Sequence, residues 1–123
     1  EISKSEGGVA IGLPLVILTD GGTASASEVV TGALKDYNAA VTVGTTTFGK
    51  GVVQLPFELK SGIGGLKVTV SKYYTPKGED INKKGIIPDY EVKLTEEDVN
   101  KEYNKDTDPQ LQKGIEVIKD MIN

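Results

Sequence analysis

An unbroken apolar segment at residues 13–18 ends shortly before two consecutive glycines, and this junction constrains the fold more than any other part of the sequence. Such a run of aliphatic residues is typical of a strand that is buried on both faces, as in a parallel sheet. Gly21 and Gly22 end the strand, and a series of small residues leads from them into a helical pattern. The sequence therefore predicts a strand that turns sharply into a helix.

The helical pattern occupies residues 25–37. Apolar side chains recur there at spacings of three and four and form one stripe: Ala26, Val29, Val30, Ala33, Leu34 and Tyr37. Ser25 and Glu28 have the spacing of a capping box, in which each side chain bonds the backbone N–H of the other residue. Residues 39–44 resume a strand pattern, so residues 13–44 predict one right-handed β-α-β unit.

A hairpin and a short strand are predicted next. Residues 52–59 and 66–74 have strand character on either side of a glycine-rich connection, which indicates a β-hairpin. Residues 86–94 predict a short strand that is interrupted by Pro88, because proline cannot donate to the ladder.

The C-terminal part is different in character. Residues 95–108 are highly charged and indicate a weak helix and a linker. Pro109 then opens an amphipathic helix, whose apolar residues pack either in cis or across a homodimer. The whole pattern predicts an α/β fold with a core at residues 1–94, followed by a charged linker and C-terminal helix at residues 95–123.

Composition excludes several kinds of chemistry. The 123 residues include no Cys and no His, which removes disulfides, cysteine nucleophiles, imidazole or thiolate metal sites and Ser–His pairs. All fourteen cationic residues are Lys, and the net charge of −4 argues against nucleic acid as a partner. The longest apolar stretch, residues 11–18, is too short to span a bilayer. Any acid–base chemistry must therefore use Lys, Asp, Glu or Tyr.

Ser25 lies at the centre of the strand–helix junction and has two interpretations. A serine before a helix, with Glu three residues later, is most often a cap that contributes about 1 kcal/mol. As a nucleophile, it would lie at a helix N-terminus, whose free N–H groups and positive dipole end favour an oxyanion. The candidate base is Lys50, which is flanked by Gly49 and Gly51. An amine serves as a base only when burial lowers its pKa from about 10.4 toward 7–8.

Lys50 and Gln54 also have purely structural interpretations. On a straight strand, side chains four residues apart share a face but lie about 13 Å from each other. Contact between Lys50 and Gln54 therefore needs a bend, which Gly51 is able to supply. Otherwise Lys50 is a solvated loop lysine and Gln54 is an amide on a strand face. Spacing alone leaves these alternatives open.

Four segments carry a continuous resemblance over residues 14–92. They are Gly-Thr-Ala-Ser-Ala-Ser-Glu-Val-Val from residue 22, Val-Gly-Thr-Thr-Thr-Phe-Gly-Lys-Gly-Val-Val-Gln from residue 43, Gly-Leu-Lys-Val-Thr-Val-Ser-Lys-Tyr-Tyr-Thr-Pro-Lys-Gly from residue 65, and Lys-Gly-Ile-Ile-Pro-Asp from residue 84. In this order they are similar to the carboxyl-terminal processing (tail-specific) proteases.

The resemblance implies a serine endopeptidase with a crotonase-like β-α-β core, which cleaves near the C-terminus of unfolded or tagged protein substrates. It assigns Ser25 as the nucleophile, Lys50 as the general base, Gln54 as the support of Lys50, and the Ala26 N–H as one oxyanion donor. It implies no cofactor and no metal. Thr23 stands where the family commonly has Ser.

The resemblance also implies partners and a location. Family members carry upstream a helical region, a peptide-binding PDZ domain and a glycine segment that supplies a second oxyanion donor. They act outside the cytoplasm, in the periplasm or cell envelope. Because the sequence begins at Glu1 and not at Met, we expect it to be part of a longer polypeptide. Because the upstream part of the core that the resemblance implies is missing, we expect low or no activity for this chain alone. The alternatives are a non-catalytic ligand-binding module of the same fold, and an interaction module in which Ser25 is only a cap.

Overall fold

The predicted β-α-β unit is the centre of the computed structural model, which describes residue 4 and residues 6–123. Strand β1 spans Val16–Thr19, helix α1 spans Ala26–Asp36, and strand β2 spans Val41–Gly44. The two strands are parallel neighbours, as a helical crossover requires. The mixed α/β fold that the sequence predicts is confirmed.

A third strand and a separate hairpin complete the β-structure. Strands β3, Val52–Glu58, and β4, Gly65–Lys72, form the predicted antiparallel hairpin. The strand predicted at residues 86–94 is reduced to β5, Tyr90–Glu91, which is parallel to β2 and gives the sheet order β1-β2-β5. Pro88 has no N–H to donate to the ladder, and pairing begins only beyond it.

Two helices follow, and each has an ordinary N-cap. The charged segment contains the short helix α2, Glu96–Asn100, and the C-terminal helix α3 spans Pro109–Ile122, as predicted. Their N-caps, Thr95 and Asp108, have extended backbone and accept the N–H three residues further on, at 3.1 and 2.8 Å. No helix in the described part of the chain is long and apolar enough to cross a bilayer.

The three-stranded sheet lies between α1 and α3. Thr42 and Val43 of β2 are both fully buried, and successive strand residues point to opposite faces, so both faces of the sheet are covered. Lys35 of α1 donates a hydrogen bond to Thr42. On the other face, a Cβ added to Gly114 of α3 would lie 3.1 Å from Leu18 Cδ2, so this glycine lets the helix approach β1 closely.

The buried face of α1 is not its apolar stripe. Its buried residues are Glu28, Thr31 and Gly32. Val29 and Val30, which belong to the stripe, are 50% and 57% exposed. The spacing of apolar residues therefore predicts the helix correctly, but among the described residues Val29 and Val30 of the stripe remain at the surface, while Ala33 and Leu34 are half-buried.

The hairpin also keeps apolar side chains at the surface. Leu55 lies opposite Val68 and Phe57 lies opposite Leu66, so the four side chains share one face of the ribbon. All four are exposed. The hairpin therefore presents an apolar face that no described residue buries.

Candidate active site

The turn that carries Ser25 is organised by Asp20 at the carboxyl end of β1. One carboxylate oxygen, Oδ1, accepts the N–H groups of Gly22 and Thr23, each at 2.9 Å, and the Thr23 hydroxyl at 3.0 Å. The Thr23 hydroxyl in turn accepts the Asp20 N–H. Thr23 therefore serves to close the turn, and the turn delivers Ser25 to the start of α1.

Ser25 has a backbone conformation that ordinary helix caps do not adopt. Its φ is 57° and its ψ is −117°, whereas Thr95 and Asp108 cap their helices from extended conformations. A positive φ in a non-glycine residue costs about 1–3 kcal/mol and is concentrated at functional sites. A strained serine in a sharp strand-to-helix turn is also the arrangement that exposes the nucleophile in unrelated hydrolases.

Glu28 is the residue that joins the Ser25 turn to the Lys50 loop. Its side chain is fully buried. Oε2 accepts the N–H of Ser25 at 3.0 Å and the N–H of Lys50 at 2.8 Å. Oε1 accepts the hydroxyl of Thr47 at 2.6 Å and the N–H of Gly49 at 2.7 Å. One carboxylate thus fixes the backbones of both predicted dyad residues.

The charge of Glu28 is stabilised without a cationic partner among these contacts. Burial raises the pKa of the carboxyl, but the hydrogen bonds from Thr47, Lys50, Gly49 and Ser25 outweigh burial and hold the pKa below the ordinary value of 4.5. Hydrogen bonds to the ionised form favour that form. Glu28 is therefore a carboxylate at neutral pH, held by four neutral donors.

The glycines around Lys50 allow another segment to pack directly against its backbone. Gly49 has a φ of 86°, and a Cβ there would lie 2.8 Å from the backbone N of Gly85. A Cβ on Gly51 would lie 2.8 Å from the backbone N of Asn82. The absence of a Cβ at both glycines therefore permits this close approach, and the segment 81–85 supports the Lys50 loop.

Tyr73, which follows β4, also contacts both dyad residues. Its hydroxyl donates to the carbonyl oxygen of Lys50 and lies 3.3 Å from the carbonyl oxygen of Ser25. Its backbone N–H donates to the carbonyl oxygen of Gly51 at 3.0 Å. Burial and the nearby charge of Glu28 raise the pKa of the phenol above its ordinary value of 10.0, so the hydroxyl keeps its proton.

Ala26 and Gln54 occupy different surroundings. Ala26 is the first residue of α1, where backbone N–H groups have no partner within the helix. Gln54 is exposed on β3 beside a register shift between Val53 and Gln54, and its amide donates to Thr69 Oγ1 at 3.2 Å. The assignments of Ala26 to the oxyanion hole and of Gln54 to Lys50 stay predictions.

Two residues of this site were not singled out by the sequence. Glu28 was interpreted only as half of a capping box, and its bond to the Ser25 N–H confirms that half. The available signal was the segment 45–51, which is rich in hydroxyl and amide donors and contains no acid. Tyr73 gave no local signal, because its contacts are to residues more than twenty positions away.

The described residues include no cluster of three or more acidic side chains that could hold a metal ion. At Ser25 and Lys50, a strained serine and a lysine lie on two loops, and the Glu28 carboxylate and the Tyr73 phenol join the backbones of those loops. A serine hydroxyl and a lysine amine are the two groups that covalent catalysis with a lysine base uses.

Comparison with known proteins gives one consistent result. The family model described as peptidase family S41 matches residues 1–92. A carboxyl-terminal-processing protease of Synechocystis sp. is 52% identical over 89 residues, which are 72% of this chain and 21% of that protein. A chloroplastic C-terminal processing peptidase of Tetradesmus obliquus is 52% identical over 79 residues, which are 64% of this chain and 17% of that protein.

A solved structure has a similar fold over two thirds of this chain. A photosystem II D1 C-terminal processing protease superposes with a TM-score of 0.62 at 50% sequence identity, over 67% of this chain and 21% of that one. The chain thus spans about a fifth of the length of the relatives that it matches.

Proposed function

The chain belongs to peptidase family S41, and we propose that it carries the Ser25–Lys50 dyad of a serine endopeptidase. The proposed reaction is cleavage near the C-terminus of unfolded or tagged proteins. The observation that carries the proposal is the shared carboxylate oxygen of Glu28, which accepts the N–H of Ser25 and the N–H of Lys50. A serine that served only as a helix cap would need no such link to a lysine 25 positions away.

The mechanism assigns a step to each residue. The Ser25 hydroxyl attacks the scissile carbonyl carbon while the Lys50 amine takes its proton. The N–H of Ala26 donates to the oxyanion that forms, and Lys50 returns the proton to the leaving amine as the C–N bond breaks. Water then attacks the acyl-serine carbonyl carbon while Lys50 takes a proton from it; the C–Oγ ester bond breaks, Lys50 returns the proton to Ser25 Oγ, and the new C-terminal carboxyl group leaves. Gln54 would orient Lys50 once the hairpin is held against the loop.

We propose that this chain acts as one part of a larger catalytic core. It matches about a fifth of its relatives' length, and Val29 and Val30 of the apolar stripe of α1 are exposed. Both facts support a further segment packed on α1. The family resemblance is what adds a second oxyanion donor and a PDZ domain elsewhere in the polypeptide. The absence of one oxyanion donor typically costs about 10²–10³ in rate. We therefore expect low or no cleavage by residues 1–123 alone.

The proposed location is outside the cytoplasm, in the periplasm or cell envelope. One relative is named as a chloroplastic C-terminal processing peptidase. The family resemblance supports a location outside the cytoplasm. Protein or peptide substrates are the proposed partners. Helix α3 packs in cis against β1 through Gly114, so a homodimer, if one forms, uses the surface of α3 that this packing leaves exposed.

The test uses the full-length protein that carries this chain and an unfolded substrate such as casein, with products identified by mass spectrometry. Replacement of Ser25 by Ala or Lys50 by Met should lower the cleavage rate by at least about 10³-fold. Ser27→Ala and Lys60→Met are the matched controls, because both residues are exposed and outside the site. A fluorophosphonate adduct on Ser25 would identify the nucleophile directly.

Two outcomes would contradict the proposal. Cleavage within tenfold of the wild-type rate after Ser25→Ala or Lys50→Met would exclude the dyad. A folded full-length protein with no cleavage and no adduct would favour the non-catalytic ligand-binding or interaction module.

A further inference from the structure

Two side chains hold all four backbone polar groups of the predicted dyad residues. Glu28 accepts the N–H groups of Ser25 and Lys50. Tyr73 places its hydroxyl against the carbonyl oxygens of the same two residues. The two loops are therefore joined twice: a carboxylate accepts hydrogen bonds from their N–H groups, and a phenol hydroxyl donates to their carbonyl oxygens.

Tyr73 is well suited to act as the donor. Its own N–H is bonded to the carbonyl oxygen of Gly51, so its backbone is fixed to the loop that carries Lys50. From that anchor the ring is half-buried and reaches to the Ser25 turn. A tyrosine side chain has a rigid ring and only two main torsions, χ1 and χ2. Its hydroxyl can therefore hold two carbonyl groups at a fixed spacing with little loss of side-chain entropy.

We propose that Tyr73 is a positioning residue, which sets the separation of Ser25 and Lys50 by bridging their carbonyl oxygens. The inference rests on the proposed function, since positioning has a catalytic meaning only if these residues react. Tyr73 itself touches neither the scissile bond nor the oxyanion in this role. Removal of the Tyr73 hydroxyl should leave substrate binding intact but should misalign Ser25 and Lys50. Small displacements of reacting groups cost about 100-fold in rate.

The neighbouring tyrosine provides a matched control. Tyr74 is one residue further along the same segment, is 55% exposed, and has Lys72 Nζ 5.5 Å from its ring centre. Its hydroxyl makes no hydrogen bond to Ser25 or Lys50. Tyr74→Phe therefore removes an equivalent phenol hydroxyl from the neighbouring position and leaves the Tyr73 bridge in place.

The test measures kcat and KM for the full-length protein on an unfolded peptide substrate, well below the melting temperature of each variant. Tyr73→Phe should lower kcat by about 10- to 100-fold with KM changed less than twofold. Tyr74→Phe should change neither constant by more than about twofold. Incorporation of p-aminophenylalanine at position 73 restores a donor and should recover most of kcat, which a loss of packing would not explain.

Amide hydrogen exchange tests the Tyr73 bridge independently of catalysis, because it measures how strongly the backbone amides of the two loops are protected. In Tyr73→Phe, exchange should accelerate at residues 25–28 and 49–51, while the α3 amides keep their wild-type rates. Uniform acceleration over the whole chain would mean that Tyr73 is only a packing residue, and the inference would be wrong.

The remaining outcomes separate this inference from the proposed function. If Ser25→Ala abolishes cleavage but Tyr73→Phe leaves kcat unchanged, the dyad stands and the positioning role is overturned. If cleavage survives Ser25→Ala, the proposed function fails and the positioning role fails with it. If Tyr73→Phe does not fold, a folded p-aminophenylalanine variant with wild-type kcat supports the bridge, and a folded but inactive one overturns it.

Discussion

The carboxylate of Glu28 holds the backbone of Lys50 across 22 positions of sequence, through a 2.8 Å hydrogen bond to Oε2. The same oxygen accepts the N–H of Ser25. In the proposed mechanism Glu28 takes no proton and touches no substrate. The alignment of the reacting groups nevertheless depends on it, because it is the point at which the two loops meet.

Glu28→Gln should therefore cost both stability and activity. The amide keeps one acceptor oxygen but turns an NH₂ group toward N–H donors, which leaves buried donors without a partner. We expect a loss of about 2–4 kcal/mol in the free energy of unfolding, measured by urea titration and circular dichroism. Cleavage by the folded variant should also fall.

Glu97→Gln is the control for this change. Glu97 is on the surface of α2 in an ion pair with Lys101, and such pairs contribute less than about 1 kcal/mol. Equal losses for Glu28→Gln and Glu97→Gln would contradict the role of Glu28 as the link between the two loops.

Stability should decline in mild acid. Burial raises the pKa of Asp89, but hydrogen bonds from Lys35 and Thr42 outweigh it and place the pKa below the ordinary value of 3.8; Glu28 is likewise below 4.5. A carboxyl whose pKa is lower in the folded state contributes stability above its unfolded-state pKa, and that stability is lost as the pH falls through the folded-state value. The urea midpoint should thus be constant from pH 7 to about 5 and fall below about 4.5.

Asp89→Asn tests the source of this acid dependence. The variant should be less stable than the wild type at pH 7, and its urea midpoint should fall less steeply between pH 5 and pH 3. Parallel curves for the two proteins would show that Asp89 does not contribute to the acid transition.

Gly49→Ala should disrupt the Lys50 loop. The added Cβ would meet the backbone N of Gly85 at 2.8 Å, and the φ of 86° is also strained for alanine. The combined cost is about 2–4 kcal/mol. Gly62 has a φ of 69° and no atom within 4 Å of an added Cβ, so Gly62→Ala carries the backbone cost alone, about 1 kcal/mol. The melting temperatures of the two variants should differ by several degrees. Similar melting temperatures would show that the clash with the Gly85 backbone does not contribute to the cost of Gly49→Ala.

Ser25→Gly and Ser25→Ala should be equally inactive but unequally stable. Glycine tolerates the φ of 57° at Ser25, whereas alanine retains the strain. After the extra entropy of glycine in the unfolded chain is subtracted, we expect the Gly variant to be more stable than the Ala variant by about 1 kcal/mol. Calorimetry on the pair measures this difference, and a more stable Ala variant would mean that the turn is not strained.

Local sequence patterns were sufficient for most of the secondary structure. The β-α-β unit, the hairpin and the start of α3 at Pro109 each follow from periodicity and from turn or capping residues near in sequence. The strand at residues 86–94 was overestimated because an apolar run does not show how much of it finds a partner strand. Only Tyr90–Glu91 pairs with β2.

The site was less accessible to local reasoning. A turn and a resemblance predict Ser25 and Lys50 as site residues, but the side chains that join their backbones, Glu28 and Tyr73, are brought there only by folding. The buried face of α1 is a similar case. Periodicity predicts an apolar stripe that includes Val29 and Val30. Burial depends instead on which surfaces pack against the helix, and the buried side of α1 contains Glu28 and Thr31.

The hairpin β3–β4 has a consequence for handling the chain in the laboratory. Its outer edges pair with no strand among the described residues, and Phe57 and Leu66 lie exposed on one face. An open strand edge beside apolar side chains is a template for pairing with another molecule. At high concentration the nearest available strand belongs to a second copy, so we expect the hairpin to limit solubility and shelf life, and charged substitutions at Phe57 or Leu66 to extend them.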